Sequence, residues 1–171
     1  MNCYNEEVFY PGSSIVKINK KDLILLKDKS MFNKRNRIRF CAHKDINDII
    51  HEMFIIHVKG AYIRPHKHLN KIESFHIIQG EADVLIFDDN GNVIEVISMG
   101  DINTGKYFYY RLPDSIYHTL IIKSDFLFFH ETTNGPFNKL KTQFPEWAPE
   151  EINTEEIQLF QKTIEKWVEN K

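Results

Sequence analysis

Residues 60–80 read GAYIRPHKHLNKIESFHIIQG. His66 and His68 stand two apart, Glu73 follows five residues later, and Gly60 and Gly80 close the run at its ends. On an extended strand, residues two apart project to the same side, so both imidazoles face one way. Imidazole nitrogens are good ligands for zinc, copper, nickel and iron. Beyond the loop 69–72, Glu73 opens the next apolar run, and its carboxylate can reach in from a neighbouring strand. A fourth candidate, His118, lies in LPDSIYHTL (112–120), where Pro113 and Ser115 make a tight entry into a further strand. Three neutral imidazoles and one carboxylate can hold a divalent ion and leave one or two coordination positions open for a substrate.

The surroundings of these residues are β-rich. MFIIHV, AYIRPHKH, ESFHII, ADVLIFD, VIEVIS, KYFYYRL, HTLIIK and DFLFFHE follow one another between residues 53 and 131, with turn signals between them. DDNG (88–91) marks a hairpin, because Asn-Gly readily takes the positive φ of a tight turn. Many short strands at regular spacing indicate an all-β sandwich or barrel rather than a parallel α/β sheet. The spacing therefore predicts three segments. Residues 1–52 form an N-terminal extension with a short helix capped at Asn19 and an added strand. Residues 53–135 form the barrel. Residues 136–171 form a connector with Pro145 and Pro149, then an amphipathic helix capped at Asn153 that presents Ile157, Phe160, Ile164, Trp167 and Val168 on one face.

Composition excludes several function classes. The net charge of −2 and the absence of a long basic run argue against nucleic acid as a partner. No apolar stretch approaches the roughly 18 residues of a membrane span. The opening MNCYNEEVFYPG lacks an apolar core, so export is not expected. Two cysteines, Cys3 and Cys41, are too few for a disulfide framework, and a cytoplasmic location follows.

The spacing Gly60-(five)-His66-x-His68-(four)-Glu73-(six)-Gly80 matches the first motif of the cupin family at every fixed position, and PDSIYH (113–118) resembles the core of the second. Ser115 stands where that second motif usually has glycine, position 107 is Tyr where a glycine would precede Pro113, and no asparagine follows four residues after His118. Longer phrases are similar to the WbuC-type cupin-fold metalloproteins: RPHKHLNKIESFHIIQGEADVLIFDDNGNV, RLPDSIYHTL, NGPFN and FPEWAPEE, within about residues 35–150. The resemblance implies a single jelly-roll (cupin) β-barrel and one divalent metal ion on His66, His68, Glu73 and His118. Zinc, nickel, manganese, iron and copper are all compatible. It also implies a place in bacterial surface-polysaccharide assembly, acting on a sugar or sugar nucleotide. A non-catalytic binding or regulatory cupin and an iron-dependent dioxygenase are the alternatives, since fold does not fix function.

Other residues admit two readings each. Arg64 and Tyr62 share the parity of the two histidines; Arg64 is either a clamp for an anionic group or half of an internal salt bridge. Arg111, on the aromatic strand with Tyr107 to Tyr110, is a further substrate-binding candidate. Glu73 could also accept a proton as a catalytic group. Arg35, Arg37 and Arg39 alternate on one strand face, to meet an anionic ligand or to solvate an edge. His76 should face away from the ligands, His57 is pocket or core, His130 lies at the barrel mouth or outside it, and His43 and His51 are surface or locally bonded. The apolar DFLFFHE and FYY runs suggest a homodimer interface.

Overall fold

The computed structural model describes residues 1–113 and 115–169; Asp114, Asn170 and Lys171 lie outside the described residues. The chain contains twelve strands and two α-helices among them. In order these are β1 (Asn2–Cys3), β2 (Val8–Tyr10), α1 (Lys20–Met31), β3 (Arg37–Cys41), β4 (Ile50–Val58), β5 (Lys67–His68), β6 (Glu73–Gln79), β7 (Glu81–Phe87), β8 (Val93–Gly100), β9 (Tyr109–Leu112), β10 (Tyr117–Ile122), β11 (Phe126–Asn134), β12 (Thr142–Gln143) and α2 (Thr154–Glu169). Seven strands make one sheet in the order β1-β2-β3-β4-β11-β6-β9; β10-β7-β8 make a second, and β12-β5 a small third. No described helix is long and apolar enough to cross a membrane.

The two larger sheets face each other across a shared core. Met53, Ile55, Phe75, Ile77, Leu127 and Phe129 come from the large sheet, and Val84, Ile86, Met99, Leu120 and Ile122 from the small one. The expected closed barrel is not formed: the sheets remain separate ladders. Isolated bridges link β10 to the segment before β5 (His66↔His118) and β8 to the segment before β9 (Met99↔Tyr107). AYIRPHKH reads as a strand, but only Lys67–His68 joins one, and Pro65 within it has no N–H to give to a ladder.

β4 and β11 are the central antiparallel pair, in register from Phe126↔Val58 to Asn134↔Ile50. Their apolar runs do not alternate because both faces are covered. Met53, Ile55, Leu127 and Phe129 face the shared core, while Ile56 and Phe128 pack with Leu26 of α1 and with Ile38 and Phe40 of β3. The apolarity of DFLFFHE is thus used within the chain rather than left for a second subunit. Tyr107, Phe108 and Tyr109 do stand exposed. α1 is held at its start by a capping box, Asn19 accepting from Lys21 N and Asp22 accepting from Asn19 N. α2 lays Ile164, Phe160 and Val168 on Leu85, Phe87 and Ile121 of the small sheet, and Asn153 Nδ2 donates to Glu156 Oε2 ahead of its first turn.

Turn residues behave as their chemistry requires. The β7–β8 hairpin turns at 88–91 with Asp88 accepting from Asn90 N and Asn92 N and Gly91 at φ +86°. Gly80 has φ +95°, and a Cβ there would collide with the carbonyl oxygen of Phe126. Segment 44–49 is an irregular connection, so β4 begins at Ile50.

His57 belongs to the core. Its ring stacks on Phe129 at 5.5 Å, and Nδ1 is buried without a hydrogen-bond partner among the described residues. Burial, with repulsion from Arg39 and Arg35, lowers its pKa to about 3. The unfolded chain takes up a proton at this residue near 6.5, whereas the folded chain refuses it. Stability from this group is therefore complete above pH 6.5 and is lost as pH falls toward 3, by on the order of 5 kcal/mol in full. His57→Leu is expected to shift the acid-unfolding midpoint, followed by circular dichroism, to lower pH by roughly half a unit; an unchanged midpoint would assign acid sensitivity to other groups.

Candidate metal centre

Four side chains from three segments meet inside the mouth of the sandwich. Glu73 starts β6 facing inward, 4% exposed, and His118 is the second residue of β10, 2% exposed. The bridge His66↔His118 sets these two histidines side by side, with backbone hydrogen bonds both ways (3.1 and 3.0 Å) and ring centroids 4.6 Å apart. The His66 and His68 rings lie 4.9 Å apart. His118 Nε2 is 2.6 Å from Glu73 Oε1, and His68 Nε2 is 3.4 Å from Glu73 Oε2.

Each imidazole is anchored through its other nitrogen. His66 Nδ1 lies 2.8 Å from the carbonyl oxygen of Arg64, and His118 Nδ1 3.0 Å from that of Ile116. A carbonyl only accepts, so both rings carry the proton on Nδ1. His68 Nδ1 lies 3.0 Å from Thr142 Oγ1. Such partners orient ligating histidines and turn Nε2 toward the centre. Ser115 takes the left-handed φ of +65° that glycine usually supplies in the motif, and its N–H donates to the His68 carbonyl, so the turn into β10 survives the substitution.

Electrostatics favour the ligand form at His66, His68 and Glu73, and the protonated form at His118. Burial, with repulsion from His118, lowers His66 to about 3, and burial also lowers His68, so both are neutral at pH 7. Burial alone would raise Glu73, but the facing imidazoles, His118 foremost, hold it at about 2. Burial alone would lower His118, but the Glu73 carboxylate holds it above the ordinary histidine value.

The donor types fit a divalent cation, and Glu73 Oε1 points to one: it is buried and has no well-directed hydrogen bond among the described residues despite its closeness to His118. The coordination sphere is not formed as the side chains stand. No group of three or more His, Cys, Asp or Glu among the described residues has a geometry that could hold a metal ion. Glu73 and His118 are packed against each other, whereas two ligands of one ion at about 2.0–2.2 Å lie roughly 3 Å apart.

The remaining candidates separate clearly. Arg64 is half-buried, with its guanidinium 4.9 Å from the ring of Phe144, and Phe144 in turn stands 6.1 Å from the His66 ring. The Tyr62 hydroxyl donates to the Pro149 carbonyl, a structural tie to the connector. Arg111 is exposed on β9 opposite Ser74, on the face away from the ligands. Glu7 and Glu151 meet Arg35 and Arg37, while Arg39 lies against the sulfur of Met53. His76 is exposed, and His130 stacks on Phe54 at 4.7 Å on the outer face. His43 and His51 are buried and stacked at 4.0 Å, with His43 bonded to the Glu52 backbone.

Two residues near the centre escape a reading of the motif alone. Thr142 is placed by the β12–β5 pairing, as the partner of His68 across 74 residues, and no local signal announces it. Glu131 sits on the inner face of β11 beside Phe75 of β6, and burial, with repulsion from Glu73, raises it to about 8. Its parity with Leu127 and Phe129 in DFLFFHE was the available signal.

A family model described as a domain of unknown function (DUF6016) matches residues 18–99, a little under half of the chain. No curated protein matches it. Among solved structures it is similar to CapF, a capsular polysaccharide assembling protein of Staphylococcus aureus, with 19% identity, 67% of this chain and 33% of that chain covered, and a TM-score of 0.54. It is similar to a protein of Shewanella oneidensis at 12% identity, 60% and 66% coverage and a TM-score of 0.49. It is also similar to oxalate decarboxylase of Bacillus subtilis at 21% identity, 58% and 24% coverage and a TM-score of 0.46. The match thus spans 66% of the Shewanella chain and a third or less of the other two. At these identities the likeness is one of fold, and the structural neighbours are cupin-fold proteins.

Proposed function

We propose that this chain is a cytoplasmic cupin that binds one divalent metal ion through His66, His68, Glu73 and His118 and acts on a sugar or sugar nucleotide in bacterial surface-polysaccharide assembly. One observation carries the reading: three imidazoles, each anchored at Nδ1, surround one buried carboxylate. The resemblance to WbuC-type cupins and the cupin-fold neighbours support the metal. The polysaccharide part rests on that resemblance and on the capsule-assembling neighbour, whose fold alone is shared.

A divalent ion held by these four groups would supply Lewis-acid polarisation of a substrate carbonyl or hydroxyl oxygen. The protein's own groups supply the rest. Thr142 fixes the ring of His68. Arg64 is the nearest candidate to hold the polar end of a substrate. Glu131, on the inner face of β11, is a second carboxyl group that can exchange a proton inside the sandwich. Turnover that survives removal of the ion would reduce the centre to a structural element, and saturable sugar binding without product would favour the binding-module alternative.

Untagged protein is expected to hold about one divalent ion per chain by elemental analysis after dialysis, and His118→Ala and Glu73→Gln to lose it while keeping the wild-type circular dichroism spectrum. Wild-type protein that takes up no zinc, nickel, manganese, iron or copper on reconstitution would end the proposal. Thr142→Val is expected to weaken metal affinity about 10–100-fold in a chelator competition, with Thr142→Ser restoring it. Equal affinity in the valine variant would remove Thr142 from the centre.

A further inference from the structure

A cleft of about 650 Å³ opens between the connector and α2, lined by Arg64, Phe144 and Trp147 together with Glu146, Glu150 and Glu156. Its size is that of a small-ligand site. It shares Phe144 with the histidine cluster, since that ring lies beside both Arg64 and His66. Arg64 lines this cleft, and its buried Nε has no hydrogen-bond partner among the described residues. Phe144 is half-exposed and Leu159, also on the lining, is largely exposed, so apolar surface is available at the floor. Trp147 is fixed: its indole N–H donates to the Asp89 carbonyl, and its ring packs against Phe87 and Tyr117.

The charge balance decides the ligand class. One guanidinium faces three carboxylates, so a pyrophosphate or free phosphate entering the cleft would meet net negative charge. A neutral sugar suits the same groups. Its hydroxyls donate to the carboxylates and accept from Arg64, and its C–H face covers an aromatic ring.

We propose that this cleft binds an uncharged saccharide unit beside the metal centre and excludes the nucleotide end of a sugar nucleotide. The inference rests on the sugar-directed reading above and narrows it, replacing the anionic ligand expected for Arg64 with a neutral one. The ring seats on Phe144, with its hydroxyls shared among Arg64, Glu146 and Glu150.

The test uses Trp147 as reporter in a Trp167→Phe background, with the protein kept in EDTA so that no metal is bound. Methyl α-glucoside, methyl α-galactoside, methyl α-rhamnoside, N-acetylglucosamine and UDP are titrated separately while indole fluorescence is read. At least one neutral sugar should give a saturable change that Phe144→Ala and Glu150→Gln weaken roughly tenfold, and UDP should give none. Silence from all four sugars, or a UDP signal lost in the Phe144→Ala variant, overturns the proposal. Zinc uptake measured on the same preparation after EDTA is dialysed away separates the two readings: uptake without sugar binding fails the cleft alone, and sugar binding without uptake fails the metal centre alone.

Discussion

A carboxylate almost fully removed from water is the constraint around which this protein is arranged. Glu73 cannot remain charged in an apolar sandwich without positive or hydrogen-bonding partners. The chain answers with imidazoles from two other segments, His66 and His68 before the loop and His118 at the start of β10. Each of those rings is itself held by a carbonyl or hydroxyl. The geometry of the sandwich mouth follows: the His66↔His118 bridge, the left-handed turn at Ser115 and the short β12–β5 ladder all serve to aim side chains at one buried acid.

Much of this was legible in the sequence where the signal was local. The capping box at Asn19 and Asp22, the Asp-Asn-Gly hairpin and the apolar face of α2 each depend on residues within one or two turns of each other, and each is present. The clustering of His66 and His68 with Glu73 was legible because alternation and motif spacing act over fewer than ten residues there. What was not legible depends on distant pairing. Nothing near Thr142 in the sequence says that it will lie across from His68, and nothing near Glu7 says that it will neutralise Arg37. The apolar run at 126–129 invited a subunit interface because the covering helix α1 lies a hundred residues upstream. The run AYIRPHKH reads as a strand, yet Pro65 has no N–H for a ladder and only Lys67–His68 joins one.

The same buried acid helps explain why the two sheets need not be zipped shut. Their inner faces share one apolar core, with Phe75, Phe129 and Met99 at its centre, and the connector and α2 cover the outside of the small sheet. Edges left unpaired near the histidines give access to the interior, and the connector that crosses there supplies Phe144 and Trp147. The buried polar cluster thus lies at one end of the sandwich, while the apolar packing that stabilises it is spread across the rest.

The pairing of Thr142 with His68 has a temporal consequence. During synthesis the hairpins can form before Thr142 has been made, yet His68 stays unanchored until the strand bearing Thr142 has emerged and docked. Ordering of the imidazole cluster therefore waits on a segment that follows the last core strand, and a product ended before Thr142 would lack the hydroxyl that holds His68.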